Sequence, residues 1–183
     1  MYSLFIDTHN ELIKIILFKD GKILTDKEKM SNMQHSVYTM PMIEEIFREN
    51  NLNVKDLDEI VVVNGPGSFT GIRIGLSIAK TIAYALNLKI HTISSLKAYL
   101  ISSDIKEEKM AVIEDNKGYY ICAFDKDNNT IVEETYLEEN PYTYKEVDYK
   151  LDINKIIDYC NKFESANPHH IKANYIKKIE VEK

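Results

Sequence analysis

Asn64-Gly65-Pro66-Gly67-Ser68-Phe69-Thr70-Gly71-Ile72-Arg73-Ile74-Gly75-Leu76 is the stretch on which the fold turns. Upstream of it, Glu59 to Asn64 hold Ile60-Val61-Val62-Val63, an unbroken apolar run that reads as a strand covered on both faces. Gly65 to Gly71 form a glycine-rich loop, and Ile72 to Leu86 predict the clearest helix of the chain. A strand that feeds such a loop aims the free N–H groups and positive dipole end of the helix back at it. That arrangement suits an anion, or a neighbouring backbone packed very close. A Walker loop is excluded, because no lysine follows Gly71. A Rossmann loop could use Gly65, Gly67 and Gly71, but the acid it needs at the end of the next strand is missing from Ile90-His91-Thr92.

The helix that follows carries two stripes. Gly71, Gly75, Ala79 and Ala83 recur every four residues and make a smooth face. Ile74, Ile78, Ile82 and Leu86 make an apolar face beside it. One apolar stripe is enough to seat a helix on its own sheet. On this reading the smooth stripe is left either for close packing within the lobe or for a helix of another subunit, and both remain open.

Outward from this centre, Tyr2–Ile6, Leu12–Phe18 and Lys22–Lys27 predict a meander of three strands, turned at Asp20-Gly21. Met33 to Asn50 predict a helix that runs through Pro41. Lys89–Thr92 predict a short strand, and Ser94-Ser95 cap a helix to about Ser102. The polar run Ser102–Lys109 marks a boundary. Beyond it Met110–Ile113, Tyr119–Asp125 and Thr130–Tyr136 predict three more strands, Asp152–Phe163 a helix, and His170–Val181 an irregular closing segment. Three strands and then a helix, twice over, point to a duplicated lobe. The expected lobes are residues 1–102 and a shortened 103–183, each ribonuclease-H-like, in an α/β actin-like arrangement; other α/β folds stay open on topology alone.

Composition narrows the function. The chain has 183 residues and a net charge of −6, which disfavours broad nucleic-acid binding by this chain itself. Its two cysteines, Cys122 and Cys160, form no CxxC pair and read as reduced structural thiols. Asp7 interrupts the first apolar run, and no uncharged run has the ~18 residues of a membrane span, so a soluble cytoplasmic protein is expected. His169 and His170 are adjacent and read as surface residues, and His35 as a capping or hydrogen-bonding residue.

The run from Gly65 to Lys80 resembles the signature of the TsaB (YeaZ) family, which belongs to the actin-like ATPase superfamily. Ile6-Asp7-Thr8, His35-Ser36, Met40-Pro41-Met42-Ile43 and Ser94-Ser95-Leu96 resemble flanking family motifs. Ala111-Val112-Ile113-Glu114, leading to Tyr120, is a fainter match in the second half. The resemblance implies a non-catalytic scaffold subunit for threonylcarbamoyl transfer to adenosine 37 of tRNA. It would pair with the catalytic subunit TsaD, support recruitment of the ATPase TsaE, and meet tRNA only through the complex. It also implies a homodimer when TsaD is absent.

The signature residues are Gly65, Gly67, Ser68, Phe69, Thr70, Gly71 and Arg73. The expected partner surface combines Gly71, Gly75, Ile78, Ala79, Ile82 and Ala83 with Met40, Ile43 and Phe47. No catalytic residue and no metal ligand is expected, since the catalytic relative's His-x-x-x-His pair has no counterpart in Ser94–Tyr99. Asp7 and Thr8 are weak nucleotide candidates, with ATP bound only weakly or at a subunit interface. The second hairpin, Glu114–Gly118, departs from the family's Asp-Ala-Arg. The competing readings are an ATPase or kinase built on Asp7, a metallopeptidase, and a stand-alone homodimeric binding protein.

Overall fold

The computed structural model describes residues 1–177. β1 (Tyr2–Asp7), β2 (Leu12–Lys19) and β3 (Lys22–Met30) form the antiparallel meander. β4 (Glu59–Val63) lies parallel to β1, and β5 (Lys89–Ile93) parallel to β4, giving the order β3-β2-β1-β4-β5. The central position of β1 and β4 explains their unbroken apolar runs, since both faces are covered. β3 is an edge, and its Asp26-Lys27-Glu28-Lys29 blunt the row of free backbone groups there.

α1 (His35–Glu49) and α2 (Phe69–Leu86) cover one face of this sheet. Met42, Ile43, Ile46 and Phe47 of α1, with Ile72, Leu76, Ala79 and Ala83 of α2, pack on Leu4, Ile6, Ile13 and Ile15. α1 runs through Pro41, whose missing N–H and bulk cost about 3 kcal/mol inside a helix. The apolar side chains buried just after it offset that cost. α2 starts at Phe69, ahead of the apolar spacing, because the Ser68 hydroxyl accepts the Gly71 N–H and caps it. Asn87, left-handed at φ 53°, ends it.

The other face of the sheet carries α3 (Ser95–Ser102) and α4 (Ile153–Cys160). Ala98, Ile153, Ile156 and Ile157 pack on Phe5, Ile16, Val61 and Ile93. α3 also meets the second sheet, where Leu96, Tyr99 and Leu100 touch Ala111, Cys122 and Phe124. That sheet holds β6 (Lys109–Asp115), β7 (Gly118–Phe124), β8 (Thr130–Leu137) and β9 (Lys145–Glu146), in the order β8-β7-β6-β9. β9 is too short for any sequence pattern to show. It is parallel to β6, as β4 is to β1, so the second sheet repeats the strand order of the first with one strand fewer.

Residue 102 separates the two sheets, but the chain beyond it does not stay in the second lobe. α4 returns to the first sheet, and so does the segment after it: the Ala166 N–H donates to the Ile90 carbonyl (2.8 Å) and Ile171 enters the first core. The closing segment is irregular through Lys177, as expected, and its continuation to Val181 lies outside the described residues. Among the described residues no helix is long and apolar enough to cross a membrane.

Candidate functional site

The signature loop is held on both sides by partners inside the chain. Gly67 sits at φ 148°, and a Cβ on it would collide with the His9 carbonyl. The Ser68 N–H donates to that same carbonyl at 2.6 Å. Ser95 holds the other side of the loop, its N–H on the Gly65 carbonyl (3.0 Å) and its hydroxyl on the Pro66 carbonyl (2.6 Å). The Thr8 hydroxyl donates to the Gly71 carbonyl at 2.7 Å. Of the two uses open to a glycine loop before a helix, this one is close backbone packing: it knots the β1–β2 hairpin to α2 and α3.

Asp7, the weak nucleotide candidate, is only 3% exposed and already engaged. Its Oδ1 accepts the His9 N–H (3.0 Å) and lies 2.6 Å from His9 Nδ1. The Tyr99 hydroxyl lies 3.1 Å from His9 Nε2. With Nδ1 donating to the carboxylate, Nε2 accepts, so donation runs Tyr99 to His9 to Asp7. Burial, reinforced by Asp7, pushes the Tyr99 hydroxyl far above its ordinary value, which keeps it a donor. Thr8 is fully buried and spent on Gly71. His9 was the residue sequence reading missed as a site member. The available signal was an Asp-x-His at a strand end, two residues apart and so on one side of the strand. His35 does not cap its helix; its Nε2 lies 2.7 Å from the Asn10 carbonyl and its ring flanks Gly71.

The β6–β7 hairpin shows a parallel arrangement. Asp115 ends β6 as Asp7 ends β1, and Lys177 Nζ donates to its Oδ2 at 2.8 Å. The same ammonium reaches the Tyr136 hydroxyl at 3.1 Å and lies 4.3 Å from the centre of that ring. Between the two hairpins and the signature loop is a cleft of about 660 Å³, with His9, Phe69, Ile113, Asp115, Tyr120 and Lys177 among its walls. Among the described residues no three His, Cys, Asp or Glu side chains converge as a metal would require. Cys122 and Cys160 are buried, and burial pushes both thiols up to about 12. His169 and His170 are on the surface.

Of the two uses left open for the smooth stripe of α2, it takes packing within the lobe. Gly71, Gly75, Ala79 and Ala83 face inward, where a Cβ on Gly71 would strike the Thr8 carbonyl and one on Gly75 the Thr8 hydroxyl. The sheet lies so close that only small residues fit beneath it. Ile43 and Phe47 are core residues too. The expected surface is therefore corrected: of its residues only Met40, Ile78 and Ile82 reach solvent. Ser36, Met40, Phe69, Arg73, Ile74 and Ile78 line a shallow groove between α1 and α2, and Met33 and Val37 are exposed near the start of α1.

The duplicated three-strand meander, the parallel fourth strand and the shared helices between the sheets define a two-lobed protein of the actin-like ATPase fold. A family model described as TsaD, tRNA N6-adenosine threonylcarbamoyltransferase, matches residues 28–172. The chain belongs to this family, in its TsaB (YeaZ) branch. It is 37% identical over 97 residues to the tRNA threonylcarbamoyladenosine biosynthesis protein TsaB of Bacillus subtilis, covering 53% of this chain and 42% of that protein. The TsaB of Buchnera aphidicola from Acyrthosiphon pisum is 26% identical over 182 residues, 94% of this chain and 81% of that one. The fold matches a Pseudomonas aeruginosa protein described as similar to peptidase YeaZ, with TM-score 0.82 at 18% identity, over 96% of this chain and 99% of that one.

Proposed function

We propose that the chain is a non-catalytic scaffold subunit for threonylcarbamoyl transfer to adenosine 37 of tRNA, working in the cytoplasm. It pairs with a TsaD-type catalytic subunit, the pair recruits a TsaE-type ATPase, and tRNA is met through the complex. The observation that carries this reading is the apolar outer face of α1 and α2. Met40 is 38% exposed and Phe69 49%, and both line the groove with the half-buried Ile74 and Ile78. Such a patch marks a protein-binding surface. The burial of Asp7, with its Oδ1 already accepting from the His9 N–H and beside the His9 ring, supports the non-catalytic part. ATP then binds weakly or at the subunit interface, if at all.

The test is light scattering after size exclusion, on the chain alone and mixed with the TsaD of its organism. A one-to-one complex is expected, and Met40→Glu together with Ile74→Glu should abolish it with little change in the melting temperature. A homodimer that the same pair of substitutions dissolves, with no TsaD complex, would favour the stand-alone reading. Heat on titrating the isolated chain with Mg-ATP would favour the enzyme reading. Bulky substitutions at Gly75 or Ala79 do not serve as interface tests, because both residues lie inside the lobe.

A further inference from the structure

Residues 174–177 form one wall of the cleft between the lobes, as a strap that runs from the first lobe to the second. Three separate elements hold this strap. At its start, the Asn174 N–H donates to the Asn64 carbonyl (2.8 Å), and Asn174 Nδ2 to Glu134 (2.9 Å). Next, the Tyr175 hydroxyl accepts from Arg73 Nε at 2.8 Å, while the Arg73 guanidinium stacks on Phe69 at 3.6 Å. Tyr175 and Phe69 lie 5.8 Å apart between ring centres. At its end, Lys177 enters a cage made of the Asp115 carboxylate and the Tyr136 ring, with Tyr120 5.0 Å from Tyr136. A carboxylate beside an aromatic face is the ordinary recognition chemistry for a primary ammonium.

We infer that the clamp and cage along the interlobe cleft are a peptide site occupied in cis, whose ligand side chains are Tyr175 and Lys177. The Phe69–Arg73 clamp takes the aromatic, the Asp115–Tyr136 cage takes the ammonium, and Ile176 packs between them against the α3–β6–β7 core. The class of ligand is an extended segment with an aromatic and a lysine separated by one residue. While the strap is down, both strand-end carboxylates are engaged by the chain itself, Asp7 by His9 and Asp115 by Lys177. Freeing the clamp and the cage for any other segment requires the strap to leave. The inference concerns the chain alone, so it stands or fails separately from pairing with TsaD.

The experiment places a thiol on the cleft wall with Ile113→Cys and follows its reaction with a maleimide. The two native thiols are buried, at 0% and 3% exposure, and do not compete. With the strap intact the reaction should be slow. Adding Tyr175→Ala and Lys177→Met should speed it by about tenfold, the size of a shift in a local opening equilibrium. Lys177→Arg, which keeps a cation for the cage, should stay near the parent rate. Equal rates for the parent and the double variant would overturn the inference, and so would Lys177→Arg behaving like Lys177→Met. A second measurement needs no variant: hydrogen exchange on the native chain should show the Asn174 amide protected. Exchange there as fast as in a free peptide would equally sink the proposal.

Discussion

The two lobes run the same strand order to different depths. Between β3 and β4 the first lobe inserts a full helix, and its fourth strand is five residues long and wholly buried. Between β8 and β9 the second lobe inserts only a short irregular link, and its fourth strand is two residues long and exposed. The same contrast holds at the strand-end carboxylates. Asp7 is buried and held by an imidazole two residues away, which a hairpin cannot avoid bringing there. Asp115 is half-buried and held by a lysine sixty-two positions along the chain. The lesson is local to the hairpins: the first holds its carboxylate with a side chain of its own turn, whereas the second relies on a residue from far along the chain.

The largest effect should come from breaking the first lobe at its tightest point. Gly71→Leu drives a side chain into the Thr8 carbonyl, and backbone cannot step aside as a flexible side chain can. Overpacking costs about 1–3 kcal/mol where relaxation is possible, so the loss here should sit at or above the top of that range. A drop in melting temperature of about 6 °C or more follows for a chain of this size. An unchanged melting curve would mean that the loop has slack which the geometry denies.

The comparison of the two carboxylates can be broken next. His9→Leu leaves the buried Asp7 carboxylate with only the backbone N–H of residue 9, which costs about 1–3 kcal/mol. Lys177→Met leaves Asp115 where water can replace the ammonium, so the melting temperature should hardly move. Thermal denaturation of both variants decides the matter. Similar losses would show that the second hairpin is as dependent on its pair as the first, and the asymmetry between the lobes would be wrong. Asp7→Asn combined with His9→Leu should recover part of the loss, since an amide is cheaper to bury than a charge.

What was legible in the sequence follows the same division. The first lobe could be read almost to its boundaries, because β4 has no polar interruption, α2 has strict helical spacing and Asp20-Gly21 fixes the turn. The strand assignments of the second lobe could be read as well, but not β9, since two residues carry no period. The site was harder. Loop glycines show that something comes close, but not whether it is an anion or the His9 carbonyl. The stripe error on α2 has a physical cause too. A smooth stripe and an apolar stripe both fit a helix–sheet contact, and only the spacing of α2 over Thr8 chooses the smooth one. The strap was beyond reach: Arg73 and Tyr175, or Asp115 and Lys177, meet across a distance in sequence that no local pattern reports.

The smallest effect expected is a dependence of the strap on pH. Lys177 holds the Asp115 carboxyl below its usual range, and Asp115, then Tyr136, hold the Lys177 ammonium above its own. For the lowered carboxyl, the contribution is complete above its ordinary value and is lost as pH falls through the lowered one. For the raised ammonium, the contribution is complete below its ordinary value and is lost only as pH rises through the raised one. The strap is therefore closed throughout the neutral range and loosens first on the acid side, below about pH 4. The Tyr120 hydroxyl, raised by burial and by Asp115, stays neutral across that window. Amide NMR signals of residues 174–177 should move toward free-peptide positions on acidification while those of β1 and β4 hold still. Added salt should shift the change to higher pH, because the pair is partly exposed and therefore screened. If the strap and the first-lobe signals move together, acid is unfolding the whole chain, and the second hairpin has no separate latch.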